Sequence, residues 1–202
     1  MEVPGRWRLR RAKPPGVVMS SLLDEELAAL AGTDATAFAE IYERYIDGIY
    51  GYCARRLGSR EVAEDATSLV FSRALAAISR FQPKSTLRSW LFTIAHNVIS
   101  DQYRNAAKTQ EQALDDTWDI ADDEPSPEAI IILKENQDML QHLLSQLTPD
   151  QHRVVELRLA DLSGPEIQEV LGKTRSWVNT TQFRAVQRMR SALDAMEGGP
   201  HV

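Results

Sequence analysis

The chain has one cysteine, Cys53, among its 202 residues, and this scarcity limits what the protein can be. A lone cysteine cannot form an internal disulfide or a cysteine-based zinc site, and it fits a reducing compartment, so the cytoplasm is the expected location. Long hydrophobic runs are missing as well, because no window approaches the roughly 18 apolar residues that span a membrane. We therefore expect no membrane insertion.

Motifs of catalysis and metal binding are also missing. The sequence contains no phosphate-binding loop, no serine elbow and no cysteine nucleophile in a catalytic context. Its four histidines, His96, His142, His152 and His201, are scattered without metal-ligand spacing. His96 beside Asn97 is more typical of a half-buried polar residue than of a general base. The sequence predicts no catalytic residue, no metal site and no cofactor, and hence a protein that is not an enzyme.

The charge of the chain is distributed unevenly. Its net charge of −6 argues against a surface coated for nucleic acid, so a DNA-binding site must rest on local clusters. Residues 173–190 hold five cations and no acid, whereas residues 111–128 hold eight acids and no cation. We interpret the acidic stretch as a solvated linker and the basic stretch as the strongest candidate site.

Apolar residues recur at helical spacing, as in Phe38, Ile41, Tyr42, Tyr45 and Ile49, and few windows alternate as a half-buried strand does. The sequence therefore predicts an all-α fold, with helices at about 24–31, 35–57, 60–79, 86–106, 128–146, 150–159, 163–171 and 174–195. We expect two small helical domains, at 21–107 and 130–197, joined by an acidic flexible linker at 108–129. Residues 1–20 are expected to form a disordered basic tail. The sequence does not decide whether Met1 or Met19 is the true start.

The C-terminal domain carries the pattern of a helix-turn-helix. Ser163 and Glu166 have the spacing of a capping box, so one helix should begin there and stop at Gly172. Thr174 or Ser176 can cap a second helix, and the first turns of such a helix lie in the major groove of DNA. The alternative is an ordinary helical hairpin with a solvated basic face.

Side chains of that second helix suit contacts with bases and phosphates. Asparagine and glutamine can pair with adenine, and arginine can bind guanine or phosphate. The predicted DNA-binding residues are Arg175, Ser176, Trp177, Asn179, Thr180, Gln182, Phe183, Arg184 and Arg188.

A second basic stretch, residues 81–108, holds four cations and the single acid Asp101, with aromatic residues in between. Exposed rings stack on unpaired bases, so this composition suits single-stranded or melted nucleic acid. The alternative is that Trp90, Ile94 and Val98, which recur at helical spacing, belong to the core.

The order of these segments resembles the extracytoplasmic-function (ECF) class of sigma factors, in the sigma-70 family. Residues 87–97, with the sequence LRSWLFTIAHN, look like part of region 2 of that family, and residues 38–42 and 63–67 resemble earlier parts of it. Residues 147–151 are similar to the start of region 4, and residues 178–190 to its recognition helix.

The resemblance implies a dissociable transcription initiation subunit, whose partners are core RNA polymerase, promoter DNA and an anti-sigma factor. The recognition helix would bind the −35 promoter element. The polymerase would be contacted by Glu61, Glu64, Asp65, Ser68 and Arg73. The melted strand of the −10 element would be held by Phe81, Lys84, Ser85, Arg88, Trp90, Asn97, Asp101 and Arg104.

Two other functions stay open at this stage. One is a one-component regulator that binds duplex DNA without being a polymerase subunit, and the other is an interaction module whose basic faces bind an acidic protein. Asn179 stands where the family commonly has lysine, so the base preference of the family does not carry over to this chain.

Overall fold

Helices make up the regular structure of the chain in the computed structural model, which describes residues 18–109, 139–140 and 142–197. They are α1 (Asp24–Ala31), α2 (Ala35–Leu57), α3 (Arg60–Ala77), α4 (Leu87–Thr109), α5 (Pro149–Leu159), α6 (Gly164–Leu171) and α7 (Arg175–Glu197). Residues 139–140 and 142–145 are also helical. The predicted all-α class is confirmed, since no strand occurs within these described ranges. The predicted linker lies almost wholly outside them, as does the first part of the helix expected at 128–146.

The helix ends follow signals that the sequence contains. Gly58 and Gly172 adopt left-handed backbone angles, with φ of 70° and 62°, directly after α2 and α6. Left-handed geometry suits glycine because it has no Cβ, and it stops a helix cleanly. Thr148 caps α5 by accepting from the amide of Gln151. Helix α3 ends earlier than predicted because its last turn tightens into a 3-10 turn at Ile78–Arg80.

The last residues of the expected basic tail, which was predicted to extend to residue 20, lie within the described part of the chain. Met19–Ser21 form a 3-10 turn that Arg44 holds in place. The Arg44 Nη2 atom donates to the carbonyl oxygens of Met19 at 3.3 Å and Ser20 at 3.0 Å, and its Nη1 atom pairs with Asp24 at 3.1 Å. These bonds hold Met19 and Ser20 against α2, and residues 1–17 lie outside the described part.

One buried cluster runs through both halves of the chain. Leu87 and Leu91 of α4 belong to the same cluster as Leu157 of α5, Ile167 of α6 and Val178 of α7. Burial of such side chains stabilises each by roughly 1.5–3 kcal/mol relative to exposure. The C-terminal helices therefore pack directly on the N-terminal ones, and the start of α4 lies at the contact.

Candidate DNA and polymerase interfaces

Helix α7 presents one face inward and the other to solvent. Val178 and Ala185 are fully buried, and Thr174 caps the helix by accepting from the amide of Trp177 at 3.3 Å. The outer face is exposed, with 64% of Phe183 accessible. It carries Arg175, Ser176, Asn179, Thr180, Phe183, Arg184 and Arg188, which are seven of the nine predicted DNA-binding residues. These residues therefore share the exposed surface of the helix.

Trp177 and Gln182, the other two, are half-buried. Trp177 packs against the core, with the Lys173 ammonium 5.2 Å from its ring centroid. The Gln182 Oε1 atom accepts from Arg158 Nε at 3.0 Å and Nη2 at 2.9 Å. Because arginine only donates, this contact fixes which end of the amide faces inward. A bidentate contact with adenine needs both ends, so Gln182 would have to leave Arg158 to make it.

Arg158 is a residue that the sequence reasoning missed. It also donates to the carbonyl oxygen of Leu162 at 2.9 Å, so it ties the end of α5 to α7. Nothing local in the sequence indicated this, because its partner Gln182 lies 24 residues away.

The predicted strand-binding residues lie on α4 and on the turn before it. The rings of Phe81 and Trp90 are half-buried and contact each other, with centroids 5.3 Å apart. Lys84, Asn97 and Arg104 are exposed. The aromatic pair thus packs as part of the fold, as the alternative interpretation of Trp90 expected, while Lys84 in the turn before α4 and Arg104 later in α4 remain accessible.

Asp101 joins two of the predicted sites. Its carboxylate accepts from Arg104 of α4 and from Arg73 of α3, the latter at 3.2 Å. These two hydrogen bonds, with that from Arg104 the stronger, hold the pKa of Asp101 below its usual range. Arg73 was predicted to bind polymerase and Asp101 to face DNA, so the two predicted surfaces are adjacent.

The exposed face of α3 contains all five residues predicted to bind polymerase, which are Glu61, Glu64, Asp65, Ser68 and Arg73. Glu64 pairs with Arg60 at 2.9 Å. Leu69 and Leu75 lie exposed on the same helix, at 39% and 54%. Sequence reasoning missed both leucines, although exposed apolar side chains within a charged face are typical of protein-binding surfaces.

The α5–α6 turn and helix α6 contact the start of α4. Thr86 donates to Glu166 at 2.9 Å, and the Ser89 hydroxyl donates to Glu169. Arg88 Nη2 donates to the Ala160 carbonyl oxygen at 2.9 Å. Ser89 is 1% exposed as a result. Arg88, a predicted strand-binding residue, is thus occupied by the C-terminal half of the protein.

A second group of polar contacts lies between α2 and α5. The fully buried Glu156 accepts from Arg55 at 2.8 Å, and the Nδ1 atom of His152 lies 3.1 Å from Arg56. Burial raises the pKa of Glu156, although the bond from Arg55 opposes the shift. Burial, with Arg56 nearby, lowers the pKa of His152 to about 4, so this imidazole is neutral at pH 7.

The described residues include no group of three or more His, Cys, Asp or Glu side chains that could hold a metal ion. Cys53 is fully buried, and burial raises the pKa of its thiol to about 11, so it is a poor nucleophile. No described helix combines the length and apolarity needed to span a bilayer.

Both halves of the chain match known families. Residues 41–109 match the family described as Sigma-70 region 2, and residues 137–189 match the one described as Sigma-70, region 4. The ECF RNA polymerase sigma factor SigW of Bacillus subtilis is 30% identical over 185 residues, which cover 87% of this chain and 98% of SigW.

Two further proteins are similar. The ECF RNA polymerase sigma factor BldN of Streptomyces coelicolor is 33% identical, over 79% of this chain and 61% of BldN, so this chain spans less than two thirds of that relative. The solved structure of CnrH in complex with the cytosolic domain of CnrY matches with a TM-score of 0.64 and 25% identity, over 85% of this chain and 97% of the matched chain.

Proposed function

The chain belongs to the ECF sigma factors of the sigma-70 family, and from that membership we propose that it binds core RNA polymerase and directs it to a specific set of promoters. The observation that carries the proposal is the helix-turn-helix of α6 and α7, whose outer face is exposed and free of acids from residue 173 to 190. Such a face attracts DNA phosphates in an otherwise acidic protein.

The outer face of α7 is the proposed reader of the −35 element. Asn179 and Arg184 are exposed there and offer the donors and acceptors that distinguish bases in a major groove. Arg175 and Arg188 lie on the same exposed face and would anchor the phosphate backbone. The proposed −35 domain covers residues 130–197.

The proposed −10 surface is the exposed side of α4 with the turn before it, in a domain covering residues 21–107. Lys84 and Arg104 would contact the strand backbone, and the Phe81–Trp90 pair would support an unstacked base. Arg88 joins this surface once it leaves the Ala160 carbonyl.

The proposed polymerase surface is the exposed face of α3. Asp65 and Arg73 supply charge, and Leu69 and Leu75 supply exposed apolar area on the same helix. Because Arg73 also bonds Asp101, polymerase binding there would act on the neighbouring strand surface.

A sigma factor works by binding and strand capture, so we propose no catalytic activity and a cytoplasmic location beside the polymerase. An anti-sigma partner is proposed as well. The structure of CnrH with the cytosolic domain of CnrY supports it, because a similar protein binds another chain.

The one-component regulator considered from the sequence is not favoured. The relatives are named sigma factors, and family matches extend over both halves of the chain instead of the DNA-binding half alone.

Transcription in vitro tests the proposed function. Core RNA polymerase with the purified chain should give discrete run-off transcripts from fragments of a genomic library, and core alone should not. Asp65→Ala and Arg73→Ala should weaken association with core in a pull-down assay, while Arg184→Ala should lower transcription without lowering association. Absence of any promoter-specific transcript would overturn the proposal.

A further inference from the structure

We propose that Arg158 is a positioning residue for the recognition of duplex DNA, which bonds the inner side of α7 and so sets the orientation in which the outer face of that helix is presented. This inference rests on the proposed function, because it concerns how the proposed reader of the −35 element is held in place.

The guanidinium of Arg158 joins both helices of the helix-turn-helix to α5. Arg158 lies in the last turn of α5 and donates through Nε and Nη2 to the Oε1 atom of Gln182 in α7, at 3.0 and 2.9 Å. Its Nη1 atom donates at 2.9 Å to the carbonyl oxygen of Leu162, in the turn before α6. The planar fork of arginine fixes direction as well as distance. These three bonds therefore set where α7 lies relative to the start of α6.

The surroundings of the guanidinium leave it little room to move. A Cβ atom added at Gly164, the first residue of α6, would lie 3.4 Å from Arg158 Nη2. Leu162 is 1% exposed, and Val178, one turn before Gln182 in α7, is fully buried. A buried acceptor that loses its donor is costly, so movement of α7 or of the turn away from Arg158 is disfavoured.

A second polar contact joins the other end of α5 to α7. The side chain of Gln151 is in the first turn of α5, is 8% exposed, and accepts from Arg188 Nη1 at 3.4 Å. The partners Arg188 and Gln182 follow in the opposite order along α7, so the two helices run antiparallel. Because the contact of Gln151 is long, the three shorter bonds of Arg158 are the main polar restraint on α7.

The residues proposed to read DNA lie on the exposed side of the same helix. Asn179 and Arg184 are exposed, whereas Gln182 between them is half-buried. A helix that turns about its axis carries all of its side chains with it, and base contacts tolerate only small errors of position. Loss of the restraint at Gln182 and Leu162 together should therefore weaken base reading without any change in the reading residues.

The test compares two affinities of the full-length chain, one for a cognate duplex and one for a duplex of equal length with a scrambled site. Selection of the wild-type chain on a randomised duplex defines the cognate site, and mobility shift assays at one salt concentration give both dissociation constants. A partly unfolded variant binds both duplexes more weakly by the same factor, so the ratio of the two constants stays the same. A misplaced α7 lowers that ratio, because only cognate binding depends on the side chains that contact bases.

Arg158→Met keeps an unbranched side chain and removes all three hydrogen bonds. The ratio should fall about tenfold, which is the value of roughly one base contact. Arg158→Lys keeps the charge but lacks the fork, so its ratio should lie between those of the wild type and Arg158→Met. Gln182→Met leaves Arg158 bonded to the Leu162 carbonyl, and its ratio should change less than that of Arg158→Met.

The matched control is Arg153→Met, which makes the same substitution in the same helix. The Arg153 side chain is 42% exposed and pairs with Asp150 of α5 at 3.2 Å. Both variants lose one positive charge, so an effect of net charge on DNA binding would appear in both. A lower ratio in Arg158→Met with an unchanged ratio in Arg153→Met supports the positioning role. An unchanged ratio in Arg158→Met, or an equal fall in both variants, overturns it.

Circular dichroism shows whether Arg158→Met folds. If it does not, Arg158→Lys decides, since a lowered ratio supports the positioning role and an unchanged ratio overturns it. The assay contains no polymerase, so it is separate from run-off transcription. A wild-type chain that selects no sequence overturns the positioning role together with duplex reading, whereas a sequence preference that Arg158→Met retains in full overturns the positioning role alone.

Discussion

The two proposed DNA surfaces of this protein differ in what surrounds them. The outer face of α7 is exposed to solvent, and Val178 and Ala185 on the opposite face of the helix are buried. The start of α4 meets another part of the same chain, which bonds Arg88 and buries Ser89. The difference suggests that a duplex site can wait exposed, whereas a site for unpaired bases is useful only after polymerase has opened the promoter.

The largest expected effect is a loss of folding stability when the buried carboxylate of Glu156, in the contact between α2 and α5, is removed. Glu156→Ala leaves the Arg55 guanidinium without its acceptor, and breaking a buried pair of this kind costs about 3 kcal/mol. Urea denaturation should record that loss in the free energy of unfolding. The double variant Arg55→Met/Glu156→Leu should recover most of it, and no recovery would mean that the pair is not coupled.

On the exposed surface, Arg184→Ala should weaken binding to a cognate promoter duplex by about 2 kcal/mol, or roughly thirtyfold. Arg184 has no acceptor to lose within the described chain, so the free energy of unfolding should change little. Electrophoretic mobility shift assays measure the affinity. Arg60→Ala removes the same charge from another helix, α3, and an equal loss of affinity in that variant would show that net charge alone causes the effect.

Acid should weaken the contact between α2 and α5, where His152 lies beside Arg56. The pKa of His152 is about 4 in the folded protein and near 6.5 when unfolded, so the unfolded chain takes up the proton first as pH falls. Stability contributed by this residue is present above about pH 6.5 and is lost toward about pH 4. The expected loss is about 1 kcal/mol at pH 5.5.

Two charged residues face His152: Arg56 of α2 and Glu156 of α5. Glu156 opposes the loss of stability in acid, because its raised pKa favours the folded state as pH falls. Comparison with His152→Gln isolates the contribution of the histidine. Between pH 7 and pH 5.5, that variant should lose less free energy of unfolding than the wild type in urea titrations. Parallel losses in both proteins would assign the effect to other groups.

The smallest expected effect concerns the inner face of α7. Gln182→Met keeps the side-chain length and removes the bond to Arg158, which retains the carbonyl of Leu162. Binding selections on a randomised duplex should give the same preferred sequence, with affinity within about threefold. A changed preference at one base position would show that Gln182 reads that base directly, as the sequence analysis expected.

Local patterns were sufficient to predict most of the fold. The helix-turn-helix was visible because its caps and periodicity lie within a few residues of each other, as with Glu166, Gly172 and Thr174. The exposed faces of α3 and α7 likewise follow from helical spacing once the buried positions are known.

Contacts between distant residues could not be predicted in this way. Glu156 pairs with Arg55 across 101 positions, and neither residue has a local feature that marks it as buried. The inward position of Gln182 depends on Arg158 in another helix. Ordering of Met19 depends on Arg44, 25 positions away. A single sequence carries no signal for such pairs, so they become visible only in the structure.

The most direct test of the account is the distance between the two halves of the protein, with and without polymerase. Cys53 is buried and its thiol has a raised pKa, so spin labels can be directed to Asp47→Cys on α2 and Lys173→Cys before α7. Double electron–electron resonance on the free chain should give one narrow distance distribution. Addition of core RNA polymerase should shift it to longer distances. A broad distribution in the free chain, or an unchanged one in a complex that initiates transcription, would contradict the account.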